Sequence, residues 1–242
     1  MSRPERPAFY ALSPGGWRDY WTLLHPPYTI WHLSYVAIGA AAAPGLQVRW
    51  LLETLGAFFL AMGLAAHALD ELHGRPLGTR ISDAALKAIA VAGLAGAVGL
   101  GVDGAIESTP FIWVLIPIGV FLVVAYNLEL FDGLVHTDTW CALAWGGFPA
   151  LTAYVAQTGT LRAEAILAAA ACVALSGAQR ALSTPVRRLR RQVTAVEGRL
   201  ILSDGSTELL SGADLRAVPE RALRLLSIAV PLLALASVLR RL

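Results

Sequence analysis

About seven stretches of this chain run for ~20 residues each with few charges, and stretches of that kind leave few folds open. Inside lipid, backbone N–H and C=O groups have no water to bond, so they must pair within the segment or around a closed barrel. The runs show no period-two alternation, so they point to helices. The expected fold is all-α, a polytopic membrane helical bundle of about seven transmembrane helices. The spans are expected over residues 28–44, 50–69, 84–102, 110–128, 140–157, 163–183 and 221–239. Residues 1–185 then form the bundle, 186–220 a small cytoplasmic insert and 221–242 a final membrane helix.

Composition agrees with that class. Hydrophobic residues make up 56% of the 242 residues and charged residues 15%, against about 25% charged in soluble domains. The first twenty residues lack a continuous apolar core and end among Trp and Tyr, so an interfacial start is expected and a cleavable signal is not. Cys141 and Cys172 fall in separate runs and form no C-x-x-C pair, which marks them as packing residues.

The positive charge is unevenly placed. With the N-terminus inside, inner segments hold Arg3, Arg6, Arg18, Arg75, Arg80, Lys87 and the nine arginines from Arg180 to Arg224. The positive-inside rule therefore orients the chain in the cell membrane. Under seven spans Arg240 and Arg241 fall outside, a mild conflict that a re-entrant last helix removes. No basic patch interleaved with aromatics occurs in an exposed domain, so nucleic acid is not an expected partner. The run Arg187-Arg188-Leu189-Arg190-Arg191 reads as an anchor to anionic lipid. Between it and the last span, VTAVEGRLILSDGSTELL alternates apolar and polar residues around Ser203-Asp204-Gly205-Ser206, a hairpin signal.

This orientation brings four separated segments to the cytoplasmic face: His25 and His32, residues 67–80, residues 126–138, and Gln179–Thr184. All five histidines lie in or near them. Ionisable groups at membrane depth are expensive and are kept where they bind or react. His67, Asp70 and Glu71 follow i, i+3, i+4 spacing and are expected on one helix face. Gly74 and Pro76 then end the helix, and Arg75 and Arg80 in the following loop suit a phosphate or diphosphate. In the second cluster, Glu129, Asp132 and His136 share a face if the helix after Tyr126 and Asn127 continues. Gly133 could instead break it there. Gln179, Arg180, Ser183 and Thr184 are candidate lining groups, and His32, two turns inside the first span, is either a site member or an interhelical hydrogen bonder.

Over roughly residues 20–160 the chain resembles the UbiA superfamily of intramembrane prenyltransferases. The resemblance rests on Gly74-Arg75-Pro76-Leu77 with Thr79-Arg80-Ile81-Ser82 after the second span, on Tyr126-Asn127, and on Trp145-Gly-Gly-Phe-Pro149 with Tyr154. It implies a helical bundle around a cavity open to the cytoplasm, and magnesium-dependent transfer from a prenyl diphosphate. In that reading Asp70, Glu71 and Asp132 hold the metal and carry the chemistry. Arg75, Arg80, Tyr126, Asn127, Gln179 and Arg180 bind substrate. Two departures stand beside it: His67 occupies the family's Asn position, and no late Asp-rich motif follows, that region reading Gln179-Arg180-Ala181-Leu182.

Magnesium prefers hard oxygen ligands, whereas imidazole suits iron or zinc. His32, His67, Asp70, Glu71, Glu129, Asp132 and His136 are therefore also candidate ligands of a transition metal in a lipid oxygenase or hydrolase. A third expectation is a lipid or metal carrier without turnover. In all three the partner is a lipidic or isoprenoid small molecule in the membrane.

Overall fold

The computed structural model describes residues 6–242; Arg3, counted above among the inner arginines, lies outside them. Eight helices make up most of the molecule. They are α1 (Trp17–Leu24), α2 (Pro26–Ala42), α3 (Val48–Leu72), α4 (Asp83–Glu107), α5 (Ile112–Asn127), α6 (residues 138–158), α7 (Ala163–Arg191) and α8 (Gly212–Leu239). A two-stranded antiparallel hairpin, β1 (Arg199–Ile201) and β2 (Thr207–Leu209), joins α7 to α8. The protein is an all-α membrane bundle.

Each expected span is helical, but four helices are long and apolar enough to cross a bilayer by length and composition: α3, α4, α7 and α8. Helices α2 and α5 have 17 and 16 residues, short of the ~20 that span hydrocarbon unaided. The soluble connection is also shorter than expected. Helix α7 continues to Arg191 and α8 begins at Gly212, because Arg188, Arg190 and Arg191 suit the last turn of a helix. Ser211 and Asp214 form a reciprocal capping box at the start of α8.

Helix α2 is the hub, packing against α3, α6, α7 and α8. Trp31 and Tyr35 are fully buried on it, and the Trp31 indole donates to the Tyr35 hydroxyl at 2.6 Å. Around them Ala150, Cys172, Leu223 and Val230 close a core cluster. Glycine sets the spacing: a Cβ on Gly39 would stand 2.1 Å from the Ala150 carbonyl oxygen, so α2 and α6 touch backbone to backbone. Gly146 does the same for α6 on α7, where a Cβ would lie 2.6 Å from the Cys172 carbonyl oxygen.

Helices α3 and α6 are not uniform. Residues Phe59–Ala66 of α3 and Leu143–Gly147 of α6 are wound with wide π turns. Such turns re-aim the side chains beyond them and occur often at functional sites. Both lead into the same chamber.

Candidate functional site

The chamber lies at the arginine-rich end of the bundle, among α2, α3, α5, α6 and α7, and has a volume of about 150 Å³. Its walls include His25, Tyr28 and His32 from the α2 side, His67 and Asp70 from α3, and Tyr126 and Asn127 from α5. His136, Cys141 and Trp145 come next, and α7 contributes Gln179, Arg180 and Arg187. Eight candidates from the sequence thus share one cavity: His32, His67, Asp70, Tyr126, Asn127, His136, Gln179 and Arg180.

Short-range bonds fix the state of most imidazoles. His67 Nδ1 lies 3.1 Å from the Gly63 carbonyl oxygen and His136 Nδ1 2.8 Å from that of Tyr126. A carbonyl only accepts, so in both rings Nδ1 carries a hydrogen, and in the neutral ring the lone pair is on Nε2. His25 is set the opposite way. Burial pushes the Tyr10 phenol up, so it stays protonated. Tyr10 donates to His25 Nδ1 at 2.5 Å, which places the hydrogen of the neutral ring on Nε2. That nitrogen is buried without a partner, as are both ring nitrogens of His32. A buried polar group left unpaired costs roughly 1–3 kcal/mol, and three such atoms in one chamber point to a ligand.

The cations differ in freedom. Arg180 Nε donates to Asp138 Oδ1 at 2.7 Å, with Nη2 2.5 Å from the same oxygen. Arg187 Nη2 donates to Thr184 Oγ1 at 3.3 Å, a neutral partner. Arg187 was not singled out in the sequence because it reads as one of a run of lipid-facing arginines. Its place one to two turns after Arg180 on α7 was the available signal. Tyr28 was missed as well, being an unremarked aromatic in a span.

Seven candidates lie elsewhere, two of them on α7, where Ser183 Oγ donates to the Arg180 carbonyl and Thr184 Oγ1 accepts from Arg187. Glu71 is fully buried, but it accepts from Leu77 N at 2.9 Å, Thr79 N at 2.8 Å and Thr79 Oγ1 at 2.8 Å. Along a helix Glu71 stands ~100° around from Asp70, and the loop folds onto that side. Arg75, with a left-handed φ of 53°, donates to the Ile81 carbonyl at 2.6 Å and pairs with Asp83, so its guanidinium organises its own loop. Arg80 is exposed, with its backbone N–H on Asp19. The helix after Asn127 does not continue. Leu130 N bonds back to the Ala125 carbonyl, and Glu129, Phe131 and Asp132 take left-handed φ of 49°, 60° and 56°. The shared face expected for Glu129, Asp132 and His136 is therefore not formed. Asp132 is exposed, while Glu129 Oε1 stands 3.8 Å from His136 Nε2 and its Oε2 3.9 Å from His73 Nε2 at the rim.

The loop role of Glu71 gives a testable separation. Glu71→Ala removes three bonds to a buried carboxylate and is expected to lower stability by about 2–4 kcal/mol. Thermal unfolding in detergent reads this, and Asp70→Ala is expected to leave the midpoint nearly unchanged. Equal midpoints for Glu71→Ala and the parent would show that those bonds hold nothing.

A second, apolar pocket of about 90 Å³ adjoins the chamber, lined by Ala61, Leu94, Val123, Phe148 and others, with Trp145 common to both. The chamber is polar and cationic, and the pocket on the other side of Trp145 is hydrocarbon-like.

Among the described residues Asp70 is the one carboxylate on the chamber wall, whereas a magnesium–diphosphate site is held through several hard oxygens. The rings of His25 and His67 stack at 4.4 Å and 27°, so their in-plane lone pairs run side by side and do not converge on an ion. Among the described residues no three His, Cys, Asp or Glu side chains form a group that could hold a metal ion. The residues present therefore do not fit either metal as they stand. No protein-family model, no curated protein and no solved structure matches the chain.

Proposed function

We propose that this protein is an intramembrane enzyme that takes an isoprenoid lipid with a diphosphate head and transfers its prenyl group, as UbiA-type prenyltransferases do. The observation that carries the reading is a pair of cavities that share Trp145 as a wall: one with two arginines and three unpartnered imidazole nitrogens, the other a hydrocarbon slot. An anion would receive hydrogen bonds from Arg180, Arg187, His25 Nε2–H and His32, and it would relieve the unpaired nitrogens. The prenyl tail would run past Trp145 into the slot. In the same proposal α2, α5 and α6 complete a seven-span bundle, with the chamber facing the cytoplasm.

The chemistry needs charge stabilisation at the leaving group. As the allylic C–O bond breaks, its electron pair goes to the diphosphate, and Arg180 and Arg187 stabilise the developing charge. The apolar slot keeps water from the allylic cation. The acceptor then forms the new bond to that carbon, and its proton goes to a free imidazole lone pair, His67 Nε2 being the best placed. Asp70 is assigned to hold the acceptor. No step passes through a metal, since the donor set does not fit one.

The test is turnover by the detergent-purified wild type given a prenyl diphosphate and membrane lipid extract. Pyrophosphate release that falls at least about tenfold in Asp70→Asn is the expected result. No release from any prenyl diphosphate that nevertheless binds would favour a carrier instead. The single carboxylate on the chamber wall is the observation that keeps this second reading in view.

A further inference from the structure

We propose that the α7–α8 hairpin is a second membrane contact, which dips one face into the anionic leaflet at the arginine-rich end. Its register pairs Arg199 with Leu209, Leu200 with Glu208 and Ile201 with Thr207. Directly opposed residues share a face of the ribbon. One face therefore carries Arg199, Ile201, Thr207 and Leu209, and the other Leu200 and Glu208. The first face holds the two most exposed apolar side chains of the ribbon, Ile201 at 74% and Leu209 at 87%. It also holds the cation, while the carboxylate lies opposite.

An isolated hairpin of three-residue strands is marginal in water, and exposing Ile201 and Leu209 there adds a cost. Position supplies the occupant. Both ends of the hairpin run into helices long and apolar enough to cross the bilayer, Ala163–Arg191 and Gly212–Leu239. Seven residues separate Arg191 from Arg199 and two separate Leu209 from Gly212, so the ribbon stays close to the bilayer surface. The flanking helix ends are cationic, with Arg188, Arg191 and Arg221 exposed, while the connection and the first turn of α8 carry Glu197, Asp204, Glu208 and Asp214 against Arg199; the cationic helix ends are what hold the ribbon against an anionic surface. Val218, on the first turns of α8, adds a further apolar side chain that is 76% exposed. An apolar pair beside an arginine is the arrangement that inserts shallowly: the apolar groups enter the acyl boundary, and the guanidinium reaches headgroup phosphates along its own stem. A lipid surface therefore fits this apolar face and its place between two membrane-length helices better than a protein partner would. The proposal does not depend on the reaction assigned to the chamber.

The test uses the full chain in nanodiscs, with a nitroxide on Leu209→Cys or on Glu208→Cys. Cys141 and Cys172 are buried, and the labelled parent supplies the background. In discs containing phosphatidylglycerol, the ratio of oxygen to aqueous nickel collisions is expected to be several-fold higher at position 209 than at 208. In phosphatidylcholine alone, or with Arg199→Glu, the difference is expected to shrink toward the ratio for free hairpin. Equal ratios at 208 and 209 in anionic discs would overturn the proposal. So would spin–spin broadening between labels at 209, which would assign this face to a second copy of the chain.

Discussion

An Arg180→Ala/Arg187→Ala variant is expected to bind a prenyl diphosphate at least about a hundredfold more weakly than the wild type, while a prenyl alcohol of the same length binds nearly as before. Each charge-assisted hydrogen bond to a buried anion contributes about 1.5–3 kcal/mol, and 1.4 kcal/mol is tenfold in affinity. The fold should survive. Arg180 leaves behind Asp138, whose side chain is 60% exposed and can return to water. Arg187 leaves only the Thr184 hydroxyl. Titration calorimetry in detergent with the diphosphate and the alcohol in parallel separates loss of the anion site from general damage. Similar losses for both ligands would mean that the arginines only support the helix. Unchanged affinity for the diphosphate would remove the basis of the proposed function.

Gly39→Ala is expected to destabilise the bundle at its hub. The added methyl would stand 2.1 Å from the Ala150 carbonyl oxygen and 2.6 Å from the Ala150 Cα. These are backbone atoms, so no rotamer change relieves the clash, and α2 and α6 must separate. Overpacking of this kind costs about 1–3 kcal/mol and sometimes more, and α2 is the hub on which four other helices rest. Gly99→Ala in α4 is the control, since a Cβ there meets nothing within 4 Å and alanine favours the helix by about 1 kcal/mol. Thermal unfolding followed by size-exclusion should show a lower midpoint for Gly39→Ala and an equal or higher one for Gly99→Ala. Equal midpoints for the two would contradict the backbone contact between α2 and α6.

Helix positions were legible because charge-free runs of this length have no other inexpensive structure in lipid. The convergence of four segments was legible too, since orientation alone puts His32, His67, Tyr126 and Gln179 at one level. What sequence spacing could not convey was azimuth. The i, i+3, i+4 rule places His67, Asp70 and Glu71 on a common side, yet ~100° separates Asp70 from Glu71, enough to put one on the chamber wall and the other inside a loop. Wide turns in α3 and α6 rotate together all the side chains beyond them, and no residue type announces such turns. Glu129 and Asp132 were misjudged for a related reason. Three non-glycine residues in left-handed conformation end α5 early, a conformation that local propensity argues against. Arg187 was hidden by its neighbours, because one arginine of a run that turns inward has the same sequence signature as those that turn outward.

The segment before α1 adds something that concerns handling the molecule as much as its chemistry. Tyr10 closes on His25, Arg190 and Arg191 reach the carbonyls of Arg6 and Pro7 at 3.3 and 3.4 Å, and the Arg224 guanidinium lies over the Phe9 ring at 5.0 Å. Three distant parts of the chain thus hold one short strap against the chamber wall. Trimming the protein back to Trp17 to ease purification would strip His25 of its phenol and release Arg191 from the Pro7 carbonyl and Arg224 from the Phe9 ring, while Arg190 keeps its Glu220 partner. The shortened protein would fold around the same helices but offer its ligands a wetter and more cationic opening, so affinities measured on it would describe a different site.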